Sequence, residues 1–455
     1  MRNQDEIEAA QFGDRRLSAR LKAIVERLAP CPEASFPAAM EGDAALEATY
    51  RFLNNEAVTP QAILNPHITA TVARCVDERA ILVAHDTTEL RYSTSREGLG
   101  RLNDQGHGFF AHYALAMSAD GRRRPLGVLG LETIIRAPKV AQKSGRRGDE
   151  GEGRRWGDLI HGVRARLGAD VRAIHVMDRE ADSYPLFAKL IAAGEGFICR
   201  MKSDRFIETP QPGSLWISER LEAAEELFVR EASISSRRRE RVAKDRAAHP
   251  PRAARKVRLS VRAVKMDVKR PSDFRKSSRE VPPTLALNVV HVHEVDTTEQ
   301  PIDWKLMTTE RIETLEDVSR IVDAYRARWM IEEFFKALKT GCAVEKRQLE
   351  SSHALLNALA IFTPIAWHLL KLRQLARQDP DAPAETVLSP LQLRVLASYR
   401  NTKLAPNASA YDAMLTVAKL GGHIKNNGDP GWQVLGRGFD KLLLLEEGAR
   451  AALEM

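Results

Sequence analysis

Apolar residues recur every three to four positions through roughly the first seventy residues. In FGDRRLSARLKAIVERLA, Leu17, Leu21, Ile24, Val25 and Leu28 share one helical face, opposite Arg15, Arg16, Arg20 and Lys22. EGDAALEATYRFLNNEAVTPQAIL predicts a second helical unit, with Asp43 as its N-cap and NNEAVTP breaking the pattern. From residue 80 the character changes. AILVAHD (80–86) is a short apolar run ending on an acid, and FFAHYALAMS and PLGVLGLETIIR predict two further strands. A helix over 156–167 precedes VRAIHVMD (171–178), again an apolar run ending on Asp. A helix in READSYPLFAKLIAAG follows directly, then a strand, FICRMK. The expected fold class is α/β, with a mixed sheet. Between 206 and about 310, alternating segments (ELFVREASI, RKVRLSVRAVKM, TLALNVVHVHEV, DWKLMTTE) predict a β-rich insertion with basic loops. Helical signal resumes at Thr314, breaks at DPDAPAE, and ends in a helix over about 436–453.

Composition narrows the class. The 455 residues suggest two to four domains. A net charge of +8 and a pI near 9.3 point to a polyanionic partner, most often nucleic acid. The polar start MRNQDEIEAAQFGD reads as no signal peptide, and LLNALAIFTPIAWHLL, interrupted by Asn357, Pro364 and His368, reads as a buried, kinked core helix. Four scattered cysteines with no CxxC pair imply neither disulfides nor zinc and suit a reducing cytosol. His291 and His293 alternate in a strand but lack further ligands in sequence. From Arg237 to Arg262 eleven Lys or Arg stand against two acids, which marks the insertion as the most basic stretch.

Three carboxylates carry the candidate chemistry. Asp86 and Asp178 each end a buried-looking strand, where open α/β sheets bind ligands. A capping role is the competing reading, and DREAD suits Asp178 as an N-cap. Glu332 lies in YRARWMIEEFFKALKTG, which predicts one amphipathic helix. At about 100° per residue, Tyr325, Arg328, Glu332, Lys336 and Lys339 fall within roughly 80° of arc, while Ile331, Phe334 and Leu338 face a core. A plain Glu332–Lys336 surface pair is the alternative. Three acids together would suit phosphodiester hydrolysis or transfer with two Mg²⁺ about 3.5–4 Å apart. Tyr325, Arg328, Lys336 and Lys339 would then lie on the DNA backbone.

Tyr325, Arg328, Glu332 and Lys339 also spell Y-x2-R-x3-E-x6-K. With FGDRRLSARL, ATYRFLNN, HDTTELRY, MDREADSY, ICRMK, PIDWKLMTTE and KLGGHI in the same order, nearly the whole chain resembles bacterial insertion-sequence transposases of the IS-four family. The resemblance implies a ribonuclease H-like core with a DDE triad of Asp86, Asp178 and Glu332. Two Mg²⁺ ions would bind there, with Mn²⁺ able to substitute. It implies a helical DNA-binding domain over 1–70, a catalytic domain over 71–372 with a β insertion at about 206–310, and a helical dimerisation region over 373–455. It assigns Trp304 to a flipped base, Arg200 and Lys202 to active-site DNA, and Arg15, Arg16, Arg20 and Arg51 to transposon-end recognition. Lys346 and Gln348 depart from it, standing where more arginine is expected.

The resulting expectation is a homodimeric cut-and-paste DNA transposase in the bacterial cytoplasm, associated with the nucleoid. It binds inverted transposon ends, nicks them, forms a hairpin intermediate and joins the 3′-OH ends to target DNA. Two alternatives stay open: a nuclease of the same fold without strand transfer, and an inactive DNA-binding relative that regulates transposition.

Overall fold

Long β-prone runs flanked by amphipathic helices organise the chain, as seen in a computed structural model. It describes residues 6–7, 9–28, 34–40, 42–93, 96–103, 106–136, 153–209, 213, 215–234, 251, 253–272, 281–296, 301–399, 402, 404–424 and 430–454. Two compact units emerge: residues 1–173 with 328–455, and residues 174–327. Each is mixed α/β.

The first unit begins with α1 (Arg15–Leu28), α2 (Phe36–Ala39), α3 (Asp43–Leu53) and α4 (Pro60–Val76). Leu21, Ile24, Val25 and Leu28 are buried on α1, as the spacing predicts. Asp43 is not the N-cap of α3. Gly42 is, with φ of 91°, a backbone angle costly for a residue with a Cβ. Asp43 instead puts its charge in the first turn, where the helix dipole favours it.

β1 (Ala80–Tyr92), β2 (Gly100–Arg101), β3 (His107–Ser118) and β4 (Pro125–Ile134) form an antiparallel group with β3 between β1 and β4. α5 (Arg154–Leu167) follows. β1 does not end at Asp86. The segment TTELRY is itself β-prone and stays paired with β3 as far as Tyr92↔His107, so Asp86 sits in mid-strand opposite Tyr113. β3 is buried almost throughout because both faces are covered. Its His112 meets Trp156 of α5, with ring centroids 4.5 Å apart, and the next residue, Tyr113, turns to the other face.

The second unit starts with β5 (Arg172–Met177), a 3₁₀ turn (Arg179–Ala181) capped by Asp178, α6 (Tyr184–Ala192) and β6 (Gly196–Arg200), which runs parallel to β5. The predicted direct run into a helix is therefore interrupted: Asp178 starts only one tight turn, and Pro185 opens the longer helix at Tyr184. Next come β7 (Phe206–Ile207), β8 (Leu215–Trp216), α7 (Ile217–Glu222), β9 (Phe228–Ile234), β10 (Arg255–Lys269), β11 (Thr284–Glu294) and β12 (Asp303–Thr308). The order is β5-β6-β12-β11-β10-β7-β8, with β9 also on β10, and α8 (Leu315–Ala327) follows. Much of the basic run expected here, 235–250 and 252, lies outside the described residues. Of the remainder, Arg255 and Arg258 pair with Glu294 and Asp296 at 2.9 Å, and Arg262 donates to the carbonyls of Leu221 and Glu222.

The chain then returns to the first unit through α9 (Trp329–Lys336), α10 (Ser352–Gln378), α11 (Pro390–Ser398), α12 (Ala410–Leu420) and α13 (Trp432–Glu454). By length and composition α10 could cross a membrane. However, 83% of its most apolar window is buried inside the protein, as in a core helix. Phe334 of α9 packs edge-on against Tyr113 at 5.1 Å, and the Tyr113 hydroxyl lies 3.0 Å from that of Thr363 on α10.

Buried polar groups join these layers. The Val128 N–H donates to His67 Nε2 at 3.0 Å, so the ring proton is on Nδ1, 2.9 Å from Glu6. His67 is thus held neutral, and burial keeps its pKa below the usual 6.5. Burial opposes ionisation of Glu6, but the bonds from His67 and Arg74 and the charge of Arg74 outweigh it and hold the pKa below the usual carboxylate range. Both folded-state pKa values are depressed, so both contributions are present above the unfolded values and are lost as pH falls. Stability should therefore decline from about pH 6.5 downward, by up to about 1.4 kcal/mol per pH unit for each proton taken up on unfolding. In urea titrations across pH, His67→Gln should flatten this slope between neutrality and pH 5. An unaltered slope would rule His67 out as its source.

Candidate active site

β1 presents Asp86 at a point where its strand is covered on both faces. The carboxylate is 17% exposed and satisfied from two sides: Oδ1 accepts the Thr87 N–H at 2.8 Å, and Oδ2 accepts Arg328 Nη1 at 2.9 Å. Arg328 lies 242 residues further along the chain. Its second terminal nitrogen, Nη2, donates to Glu332 Oε1 at 3.0 Å, so one guanidinium bridges two of the three predicted acids. Arg328 is 7% exposed. A charge so enclosed needs good partners, and two carboxylates supply them.

The predicted single helix around Glu332 is in fact three pieces. α8 ends at Ala327, Arg328 forms a turn whose carbonyl accepts the Ile331 N–H at 3.0 Å, and α9 begins at Trp329. That i→i+3 bond tightens the winding. From Ala337 to Gly341 a π-turn loosens it, closed by the Cys342 N–H on the Ala337 carbonyl at 2.8 Å. The predicted 80° arc assumes an even twist and does not survive these two changes. Lys336 is exposed and bonds Glu333 at 2.5 Å, so the alternative Glu332–Lys336 pair gives way to Lys336–Glu333. Arg373 reaches the same Glu333 at 2.9 Å. Lys339 turns inward, donating to the Glu89 carbonyl of β1 at 2.5 Å and lying 3.9 Å from Glu345. Burial lowers its pKa, against the pull of Glu345 and Glu89.

Behind Asp86 lies a polar set that the sequence did not announce. Thr87 Oγ1 is 2.9 Å from His112 Nδ1 and accepts Arg155 Nε at 3.2 Å. Burial, with Arg155 close by, pushes His112 down to about 3. Opposite His112 on β4, Glu132 is pushed up to about 7 by burial, with Asp158 adding to the effect. A histidine inside the apolar run FFAHYALAMS was the only hint. The partners of Lys339, Glu89 and Glu345, gave none.

In the second unit, Asp178 follows β5 and caps the 3₁₀ turn, its Oδ1 accepting the Glu180 N–H at 2.8 Å. The capping reading therefore holds, and a carboxylate's second oxygen can still act as a ligand. Trp304 is half-buried on β12, edge-on to Tyr325 of α8 with centroids 5.3 Å apart; Tyr325 itself is buried, at 3% exposure. Arg200 donates to the Asp303 carbonyl at 2.9 Å, while Lys202 is exposed and its N–H bonds Asp182 at 2.6 Å. In the first unit Arg15 and Arg16 are exposed on α1 and Arg20 is half-buried; Arg51 on α3 is exposed and pairs with Glu47.

Asp86 and Glu332 each direct an oxygen at one positive group. Oxygen donors around a cation are what a hard divalent ion requires, so these residues fit a metal. Arg328→Met should therefore lower stability by about 1.5–3 kcal/mol, the value of charge-assisted bonds. It should also increase the stabilisation gained from added Mg²⁺ or Mn²⁺, read as a shift in Tm. A Tm response equal to that of the unsubstituted chain would refute the bridging role.

Comparison with known proteins agrees with this chemistry. The family described as Transposase DNA-binding matches residues 3–58, and the family described as Transposase DDE domain matches residues 139–363. Among solved structures, a piggyBac transposase synaptic complex with hairpin DNA is similar with a TM-score of 0.35 at 11% identity, covering 82% of this chain and 67% of that one. That likeness is distant, and no residue assignment rests on it. DNA is the partner and divalent metal ions the cofactor class that the two family matches bring with them. With a transposase DNA-binding region ahead of a transposase DDE domain, this chain is a DDE transposase, a metal-dependent enzyme that acts on DNA.

Proposed function

We propose that this enzyme is a cut-and-paste transposase of the IS-four type, similar to the transposon Tn-five transposase, with a ribonuclease H-like core and Asp86, Asp178 and Glu332 as its DDE triad. The observation that supports this most is Arg328 joining Asp86 and Glu332, two acids that the YREK spacing and the first Asp block nominate independently. Residues 1–70 would bind inverted transposon ends through Arg15, Arg16, Arg20 and Arg51. Residues 71–372 would cut, and 373–455 would pair two copies in a synaptic homodimer, in the cytoplasm at the nucleoid.

Mg²⁺ bound by the three carboxylates would supply charge to the attacking and leaving oxygens of an in-line displacement. The chain's own part is positional. β1 holds Asp86 through the Thr87 N–H, and α9 holds Glu332 through its apolar face on the core. Arg328 keeps the two acids compensated without substrate, and would turn to a backbone phosphate when cations take its place. Lys336 and Lys339 would flank that strand. Trp304 would take a flipped base in the hairpin step, with Tyr325 supporting its ring and Arg200 and Lys202 beside the strand. Nick, hairpin, reopening and target joining are each a displacement at phosphorus, so one carboxylate set can serve them all.

Asp86→Asn, Asp178→Asn or Glu332→Gln should each cut strand cleavage by about 10³-fold or more while end binding in a gel shift persists. Cleavage at the unsubstituted rate by any one of them would remove that residue from the triad. With end DNA and a supercoiled target, joined products are expected; nicking without joining would leave a nuclease, and binding without either an inactive relative. Trp304→Ala should spare the first nick and lower hairpin yield by about tenfold, in keeping with a lost base stack. An undiminished yield would end its role.

A further inference from the structure

The strand pair β11–β12 gathers side chains that the transposition chemistry does not use. His291 and His293 stand two residues apart on β11 and so point to the same face of the sheet. Asp303 of β12 is directly opposite His293, and Lys305 is opposite His291. His291 Nε2 lies 2.6 Å from Asp303 Oδ1, and the two imidazole rings are 5.8 Å apart. One ligand atom from each of His291, His293 and Asp303 falls within 4.8 Å of the others. Among the described residues this is the group of His, Cys, Asp and Glu side chains with metal-binding geometry.

We propose that His291, His293 and Asp303 form a site for a zinc-class transition-metal ion, separate from the carboxylate site of the DDE triad. Ligand atoms about 2.1 Å from a tetrahedral ion are about 3.4 Å apart, so small rotations of the side chains close the set. Two imidazoles and one carboxylate are the donor set of a borderline ion; Mg²⁺ prefers oxygen throughout. Three protein ligands leave the fourth position to water. Binding requires both imidazoles neutral and moves the His291 Nε2 proton, now shared with Asp303, to solvent. Asp303 is already ionised: its bond to His291, with the nearby Lys305 charge, outweighs the opposing effect of burial and leaves its pKa at about 2. Lys305, 3.3 Å from Asp303 Oδ2, is the competing cation.

The site would tie β11 to β12 on the face opposite Trp304, and it includes the residue whose carbonyl Arg200 bonds. Any effect of the ion on base capture rests on the proposed role of Trp304. The binding itself does not.

The test uses the full chain carrying Asp86→Asn and Glu332→Gln, which silence the carboxylate site. Zn²⁺ affinity is measured by competition with a chromophoric chelator, and Co²⁺ serves as a spectroscopic probe. One equivalent should bind, with the intense visible bands of low-coordinate Co²⁺. His291→Ala, His293→Ala and Asp303→Asn should each weaken binding at least about tenfold, with circular dichroism unchanged. Lys305→Met should tighten it. No stoichiometric binding, or equal affinity in all three ligand variants, would overturn the proposal. Neither outcome bears on strand cleavage, so this site and the triad stand or fall separately.

Discussion

A sheet covered on both faces cannot leave a polar side chain unsatisfied, and this constraint shapes the first unit. β1, β3 and β4 are largely buried, so most of the buried polar residues they carry find a partner inside. Asp86 takes the Thr87 N–H and Arg328, Thr87 takes His112 and Arg155, and Tyr113 takes Thr363. Glu6, His67 and the Val128 N–H answer one another by the same rule. Apart from the Thr87 N–H on Asp86, these contacts are long-range in sequence, so satisfying the sheet also fixes where the helices dock.

Arg328 shows how this constraint reaches the chemistry. It interrupts the helix at the point where its guanidinium must reach both Asp86 and Glu332. Phe334, six residues on, anchors the same segment against Tyr113. The turn at Arg328 and the π-turn at Ala337–Gly341 are local departures from ideal winding that serve side-chain placement, the second delivering Lys339 to the Glu89 carbonyl. Two acids held by one cation form a preorganised, charge-compensated set. In the proposed triad, such a set would exchange its cation for a metal without rebuilding the backbone.

The second unit uses its charges differently. Its sheet carries strong basic character, yet Arg255 and Arg258 spend theirs on Glu294 and Asp296 of the neighbouring segment. A run of cations counted in sequence therefore overstates the positive surface. The same cross-strand proximity brings Asp303 to His291 and His293, a grouping that no spacing in the chain reveals.

Helical faces such as Leu21, Ile24, Val25 and Leu28, most of the strands and the β character of 206–310 could all be read from the chain alone. Each depends on short periodicities. The continuation of β1 past Asp86, the break at Arg328, the π-turn, the burial of Tyr325 and the partner of Lys336 could not. Nor could the Thr87–His112–Arg155 set or the third ligand beside the two histidines. Several of these features are settled by groups far apart in sequence that meet only when layers pack, as Thr87–His112, 25 residues apart, and Asp86–Arg328, 242 apart, do. Sequence determined which side chains carry the charge; tertiary packing decided what each charge faces, because a buried charge takes whatever partner the fold brings within hydrogen-bond distance.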